Sequence, residues 1–192
     1  MLSVVSFHTG GAYADHAERL GESLAKFALP HDVVREPDLG SYQANCQHKA
    51  AFLARRMAEA PGEDLLWLDA DSVVRARPEI LLAPLDCDLA VYCHRHEKDV
   101  WTGTVLVRAT PLAKAAVLRW VGWNRMRPER LDQRNLMFAL FDEALPASER
   151  PRILRLPREY CWVEWLMRPG SGAAVPTIEH FAIGARERMK RA

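Results

Sequence analysis

Short apolar runs alternate with segments of helical periodicity along this chain, and that alternation limits the folds open to it. "LSVVSF" at residues 2–7 and "DLLWLDA" at residues 64–70 are apolar runs that stop at turn-forming or acidic residues. Between them, Leu20, Leu24 and Phe27 recur at helical spacing. Strands that alternate with helices predict an α/β fold with a mainly parallel central sheet flanked by helices.

The second half of the chain continues the same pattern. "CDLAVYCHR" and "TGTVLVRAT" read as strands, and Thr110 followed by Pro111 is a typical helix start. A chain of 192 residues is long enough for one domain with a full core. We therefore expect a single domain over residues 1–192, whose halves are residues 1–100 and 101–192.

Composition and charge bear on partners and location. The net charge of +1 gives no bulk attraction to nucleic acid, so we expect no nucleic-acid partner. No apolar run approaches the roughly 18 residues of a membrane span, so no transmembrane segment is expected. The four cysteines form no CxxC pair and the chain opens without a signal-peptide pattern, which favours a cytoplasmic location.

The charge is distributed unevenly along the chain. Residues 1–118 contain 12 Lys or Arg and 16 Asp or Glu, whereas residues 119–192 contain 14 and 9. An acidic half that carries a metal site and a basic half that faces an anionic ligand would produce this asymmetry, as would chance.

The segment "LLWLDADSVV" places Asp69 and Asp71 directly after an apolar run. Two carboxylates at a strand end repel each other unless a cation lies between them. A Mg²⁺ or Mn²⁺ ion held by a few carboxylates keeps positions open for substrate phosphates. Ligands of α/β proteins also gather at the carboxyl ends of strands, where "HTGG" is expected as well. The alternative is a polar turn that ends a strand.

This segment resembles the DxD segment of nucleotide-sugar-dependent glycosyltransferases with the GT-A fold, in particular glycogenin-like and related bacterial enzymes. Further segments resemble motifs of these enzymes in the same order, from about residue 3 to 186: "SFHTGGAYADHAERLGESL", "HKAAFL", "WTGTVLVRAT", "LDQRNL" and "IEHFAIGARE". The chain departs from the family at Thr102, where Asn is frequent, and at Arg134, where Gly is usual.

The resemblance implies a set of site residues. It implies a metal site formed by Asp69, Asp71 and His180. For the nucleotide it implies Ser6, Thr9, Tyr13, Lys49 and Arg186. For the donor sugar it implies Trp101, Thr102 and Gly103, and for catalysis Asp132 and Gln133. Because neutral imidazole suits Mn²⁺ better than Mg²⁺, a His180 ligand favours manganese as the cofactor, with Mg²⁺ as the alternative.

The function that follows is metal-dependent transfer of a sugar from a UDP-sugar donor to a glycan or other hydroxyl acceptor, with retention of configuration by analogy to the nearest resemblance. One alternative is an aspartate-nucleophile phosphatase of the haloacid dehalogenase class, which also has an apolar strand before Asp-x-Asp. That class needs a later acidic pair, and "FDEAL" lies in a predicted helix. A non-catalytic nucleotide-sugar-binding module is the other alternative. The oligomeric state is unspecified.

Overall fold

The computed structural model describes residues 1–96, 98–163, 165–167 and 175–184. In these residues the strands are β1 (Leu2–His8), β2 (His31–Arg35), β3 (Asp64–Leu68), β4 (Ser72–Val74), β5 (Leu89–Cys93), β6 (Val100–Val107), β7 (Ile153–Arg155) and β8 (Ile178–His180). The helices are α1 (Ala12–Lys26), α2 (Tyr42–Glu59), α3 (Glu79–Leu82), α4 (Pro111–Met126) and α5 (Asp132–Leu140). The predicted alternation of strands and helices is confirmed, and β4 is an addition to it.

The main sheet has the strand order β2-β1-β3-β6-β5-β7. Strand β1 is parallel to β2 and β3, and β5 is parallel to β7, whereas β6 is antiparallel to both of its neighbours. The short connection between β5 and β6 explains the reversal, because a parallel crossover needs a dozen or more residues. The predicted mainly parallel sheet is confirmed. Its parallel strands β1 and β3 end at the same edge.

Both faces of this sheet are covered by packed apolar side chains. On one face, α2, α4 and α5 pack with Phe52, Trp120 and Leu136 against residues such as Trp67 of β3. On the other face, α1 packs with residues such as Leu20 against the alternate residues of the same strands. Because side chains of a strand alternate between faces, β3 contributes to both cores, which explains its uninterrupted apolar sequence.

Strands β4 and β8 form a second, small antiparallel sheet. In it Ser72 lies opposite His180, and Val74 lies opposite Ile178. The pairing is reinforced by Arg75, whose Nη2 lies 2.5 Å from the Glu179 carboxylate. This sheet fastens a late segment of the chain beside the end of β3.

Helix α4 begins as predicted from its sequence. The Thr110 hydroxyl accepts a hydrogen bond from the Ala113 N–H at 3.1 Å, and Pro111 occupies the first helical position. In the part of the chain that the structure describes, no helix has the length and apolarity needed to cross a membrane.

Candidate active site

Asp69 and Asp71 lie in the turn that joins β3 to β4. The Asp69 N–H donates to the Gly103 carbonyl oxygen at 2.9 Å, and the Asp69 carbonyl oxygen accepts from the N–H and the hydroxyl of Ser72. These bonds hold the turn so that both carboxylates line one cleft. The Asp71 residue is nearly buried, whereas 34% of the Asp69 side chain is exposed.

Strand β8 brings His180 to the same cleft. Its Nε2 lies 2.9 Å from the Thr104 hydroxyl oxygen, and that hydroxyl donates to the Tyr160 carbonyl oxygen at 2.7 Å. Because threonine has a single hydroxyl proton, Nε2 must carry the proton of its bond to Thr104. The other ring nitrogen, Nδ1, is therefore an acceptor. It is buried and has no hydrogen-bond partner among the described residues.

These three side chains meet the requirements of a metal site. One ligand atom from each of Asp69, Asp71 and His180 lies within 4.8 Å of the others. Burial lowers the pKa of His180 to about 4, although the Asp69 charge acts in the opposite direction, so the ring is neutral near pH 7. Carboxylate oxygens with a neutral imidazole nitrogen suit divalent ions such as Mn²⁺. The residues present therefore fit the metal that the sequence resemblance implies.

The electrostatics of Asp71 support this interpretation. Burial raises the pKa of its carboxyl group to about 6, and the negative charge of Asp69 adds to the effect. The backbone N–H of Ile183 donates to Asp71 Oδ2 at 2.9 Å, which favours the ionised form but does not cancel those two effects. A cation bound between the two carboxylates would offset both.

Gly103 supports the ring of His180. A Cβ atom at this position would lie 2.9 Å from His180 Cε1, closer than real Cβ atoms approach their neighbours, and 3.0 Å from Nδ1. Glycine is therefore required here so that β6 can pass beneath the imidazole. The sequence resemblance implies sugar binding by Gly103. The geometry gives it contact with a candidate metal ligand.

Lys49 is surrounded by oxygen atoms. Its Nζ lies 2.8 Å from Asp69 Oδ1, 3.2 Å from Asp132 Oδ2, and 3.1 Å from both the carbonyl and hydroxyl oxygens of Thr102. The Thr102 hydroxyl in turn donates to Asp132 Oδ2 at 2.8 Å. Although burial opposes the charged form, the carboxylates of Asp132 and Asp69 raise the pKa of Lys49 well above its usual value. Lys49, expected at a diphosphate, is thus a buried counter-ion of two site carboxylates.

One oxygen of Asp69 is fully engaged by the protein. Asp69 Oδ1 accepts from the Trp67 indole N–H at 2.8 Å and also faces Lys49 Nζ. None of the hydrogen bonds or ion pairs of Asp69 with the described residues involves its other carboxylate oxygen, Oδ2. Trp67 was not among the residues singled out from the sequence, although it stands two positions before Asp69 on the same face of β3.

Two tyrosines lie at the other end of the cleft, where β1 leads into α1. Thr9, Tyr13 and Tyr42 line both the main cleft and an adjoining pocket of about 450 Å³. A Cβ atom at Gly184 would collide with the Tyr42 ring and the Tyr13 hydroxyl oxygen. The segment after His180 therefore packs closely on both rings. Tyr42 was missed in the sequence, where its position at the start of the Lys49 helix was the available signal.

The cleft has a volume of about 330 Å³ and brings together most of the predicted site residues. Those that line it are Thr9, Tyr13, Lys49, Asp69, Asp71, Trp101, Thr102, Gly103, Asp132, Gln133 and His180. Ser6 does not line it, and its side chain is fully buried in β1. Arg186 lies outside the described residues. Trp101 packs on His94, with ring centroids 4.5 Å apart.

Comparisons of the sequence with protein-family models and with curated proteins found no match. Comparison with solved structures found glycosyltransferases. One is involved in glycosylation of the major capsid of PBCV-1. It matches with a TM-score of 0.70 and 13% identity over 100% of this chain and 99% of that one. The chain has the fold of these glycosyltransferases.

Two further glycosyltransferases share this fold. The galactosyltransferase LgtC, in complex with donor and acceptor sugar analogs, matches with a TM-score of 0.58 and 13% identity over 95% of this chain and 87% of its own. The glycosyltransferase GlyE of Streptococcus pneumoniae matches with a TM-score of 0.59 and 15% identity over 94% of this chain and 54% of its own. The GT-A-type fold predicted from the DxD segment is confirmed.

The phosphatase alternative is not favoured. Its required second acidic pair would have to be Asp142 and Glu143 of "FDEAL". These residues follow α5 and do not line the cleft, and Glu143 instead pairs with Lys98 at 2.5 Å.

Proposed function

We propose that this protein transfers a sugar from a UDP-sugar to a hydroxyl acceptor, with Mn²⁺ or Mg²⁺ held by Asp69, Asp71 and His180. The observation that carries the proposal is that His180, whose buried Nδ1 has no partner among the described residues, lies with two carboxylates in a cleft of a glycosyltransferase fold. When bound, the cation would supply positive charge to the diphosphate leaving group. The sugar chemistry of LgtC supports the class of substrates.

Other residues of the cleft are assigned to binding of the nucleoside and the donor sugar. Tyr13 and Tyr42 offer aromatic rings on which a flat base such as uracil can stack. Thr9 follows β1 and lines the cleft together with these tyrosines, and we assign it to the nucleoside. Trp101 and Thr102 line the wall on which we place the donor sugar, next to Asp132 and Gln133 at the start of α5.

Lys49 sets the charge of the reaction site. By neutralising Asp132 and part of Asp69, it lets two carboxylates lie close to a dianionic donor without repelling it. Asp132, which also accepts from Thr102, is thereby held in one orientation for contact with sugar hydroxyl groups. Gln133 extends the same polar surface with an amide that can donate and accept.

Retention of configuration is the outcome we propose. Inversion requires a general base that can accept the proton of the acceptor hydroxyl. Among the described residues, the carboxylates that line the cleft are Asp69, Asp71 and Asp132. The first two belong to the proposed metal site and the third is paired with Lys49, so none is left as a free base.

The test is nucleotide binding followed by turnover. UDP binding is measured by calorimetry with and without Mn²⁺ for wild type, Asp71→Asn and the control Asp15→Asn, which removes an exposed charge on α1. We expect Mn²⁺ to strengthen UDP binding at least tenfold in wild type and in the control. In Asp71→Asn, which loses a metal ligand, this strengthening should be lost. UDP release from a panel of UDP-sugars then identifies the donor.

Two outcomes would revise the proposal. If Asp71→Asn, or wild type with a chelator, bound UDP as tightly as wild type with Mn²⁺, the three residues would not form a metal site that contributes to UDP binding. Metal-dependent UDP binding without release of UDP from any sugar in the panel would instead favour the nucleotide-sugar-binding module.

A further inference from the structure

A second, smaller pocket opens beside the cleft. Its volume is about 230 Å³, and it shares Leu131 and Gln133 with the cleft wall. Three cationic side chains, Lys98, Arg130 and Arg134, line it. The pocket therefore continues the cleft on the side of α5, away from the tyrosines at the nucleotide end.

The three cations of this pocket differ in how far the protein pairs them. Asp99 is the carboxylate among its described lining residues, and its Oδ2 accepts from the Arg95 N–H at 3.2 Å. Among the described residues Arg134 has no carboxylate within ion-pair distance, and its Nη1 lies 3.8 Å from Met137 Sδ. An exposed guanidinium that is not paired within the protein is available to an anion.

The other two cations are held only loosely. The Arg130 guanidinium lies 5.1 Å from the centroid of the Phe138 ring, and its Nε is 3.9 Å from Glu129. Lys98 pairs with Glu143, whose side chain is 80% exposed. Exposed pairs of this kind contribute little stability, so an incoming anion can replace them at small cost.

The position of the pocket relates it to the reaction site. Arg130 and Arg134 flank the residues Asp132 and Gln133, which begin α5 and line the cleft. A ligand whose hydroxyl group lies in the cleft beside Gln133 can thus place an attached group among the cations. These two arginines belong to the excess of Lys and Arg after residue 118, so part of that excess lines this pocket.

We infer that the acceptor carries an anionic group, a phosphate or a carboxylate, and that Lys98, Arg130 and Arg134 bind it. The inference rests on the proposed sugar transfer, because it names the acceptor class of that site. The planar fork of a guanidinium matches both phosphate and carboxylate with paired hydrogen bonds. The pocket would therefore select charged acceptors over neutral sugars of the same size.

The test measures binding of three sugars, glucose 6-phosphate, glucuronate and glucose, by calorimetry or NMR titration. Wild type is compared with Arg134→Gln, Arg130→Gln and the matched control Arg19→Gln, which removes one exposed charge from α1. We expect each pocket variant to weaken binding of the charged sugars about tenfold, the effect of losing a charge-assisted contact. Glucose binding and the control should not change, and added salt should weaken only the charged sugars.

The two charged sugars separate phosphate from carboxylate as the recognised group. Equal affinity of wild type for glucose and both charged sugars would overturn the inference, as would equal losses in Arg134→Gln and Arg19→Gln. UDP binding with Mn²⁺, measured on the same variants, should remain at the wild-type level. If that binding is absent in wild type while charged sugars still bind, the proposed transferase function fails and the anion site does not.

Discussion

Two carboxylates on opposite sides of the site are equally buried but are treated differently by the protein. Asp132 is 5% exposed and is paired with Lys49 and Thr102. Asp71 is 6% exposed, has a carboxylate oxygen within 4.8 Å of ligand atoms of Asp69 and His180, and accepts from a backbone N–H. The first side is an ion pair completed by the protein, whereas the second is an arrangement that a cation completes. Burial alone therefore does not distinguish a carboxylate that is paired within the protein from one that is available to bind a metal ion.

The largest expected effect follows from removal of the cation on the completed side. Lys49→Met leaves Asp69 and Asp132 facing each other without a counter-charge, and breaking a buried pair in this way costs about 3–5 kcal/mol of unfolding free energy. Urea denaturation measures the loss. The double variant Lys49→Met with Asp132→Asn should recover part of it, because it removes one of the stranded charges. If Lys49→Met were as stable as wild type, Lys49 would not be needed to neutralise Asp69 and Asp132.

The second-largest expected effect concerns the side of the site that is proposed to bind the metal ion. Mn²⁺ that binds only the folded protein should raise the free energy of unfolding by about 2.7 kcal/mol when its free concentration is 100 times its dissociation constant. The gain should vanish in His180→Ala and persist in Asp15→Asn. Thermal or urea denaturation with and without metal detects it. A gain that survives in His180→Ala would place the ion elsewhere.

Without metal, the two buried carboxylates should respond to neutralisation with opposite signs. Because burial and Asp69 raise the pKa of Asp71 to about 6, its charged form opposes folding. Asp71→Asn should therefore stabilise the metal-free protein at pH 7 by up to about 3 kcal/mol, because the pKa rises from 3.8 to about 6 and one pKa unit corresponds to about 1.4 kcal/mol. Asp132→Asn should destabilise it, because Lys49 loses a partner. Urea denaturation of both variants in the presence of a chelator measures the two changes in the free energy of unfolding. If both changes have the same sign, the two carboxylates do not differ in this way.

The two sides also differ in what the sequence could predict. The DxD pair follows an apolar strand, so local pattern and the family resemblance indicated Asp69 and Asp71 correctly as neighbours in a cleft. The resemblance also implied His180 as a metal ligand, but the approach of His180 to the two aspartates depends on pairing between β4 and β8, two three-residue strands far apart in the chain. No local periodicity marks such short strands. Their existence is set by long-range packing.

Burial of Lys49 was equally invisible in the sequence. A lysine on a helix is ordinarily a solvated charge, and only the packing of α2 against α5 and the end of β3 places this one between two carboxylates. Gly103 is similar, because its need for glycine arises from a ring that comes from β8. Sequence patterns report which residues share an element. They do not report which elements meet.

A smaller effect should come from Gly103. In Gly103→Ala the new methyl group must displace the His180 ring, and disturbed support of a metal ligand lowers metal affinity about 10-fold or more. Gly122→Ala is the matched control, because a Cβ atom there meets no other atom within 4 Å. Mn²⁺ titration monitored by electron paramagnetic resonance measures both affinities. Equal affinities would mean that the ring can shift without leaving the ion.

The smallest expected effect tests how the two sides share Asp69. Its Oδ1 is held by Trp67 and Lys49, which leaves Oδ2 for the cation. Trp67→Phe keeps an aromatic ring in the core but deletes the N–H, so we expect Mn²⁺ affinity to fall about threefold, less than the typical loss of a supporting residue. Stability should also fall, because the smaller ring leaves a cavity.

Trp120→Phe separates the two consequences. Trp120 is also fully buried, and its indole N–H donates to the Asp132 carbonyl oxygen at 3.0 Å, so this variant loses a comparable ring and hydrogen bond. Its stability should fall by a similar amount while its Mn²⁺ affinity stays at the wild-type level. If both variants lose affinity equally, the loss reflects a loosened core, and Asp69 is oriented by Lys49 without help from Trp67. If only Trp67→Phe loses affinity, the orientation of Asp69 links the completed side of the site to the side that binds the ion.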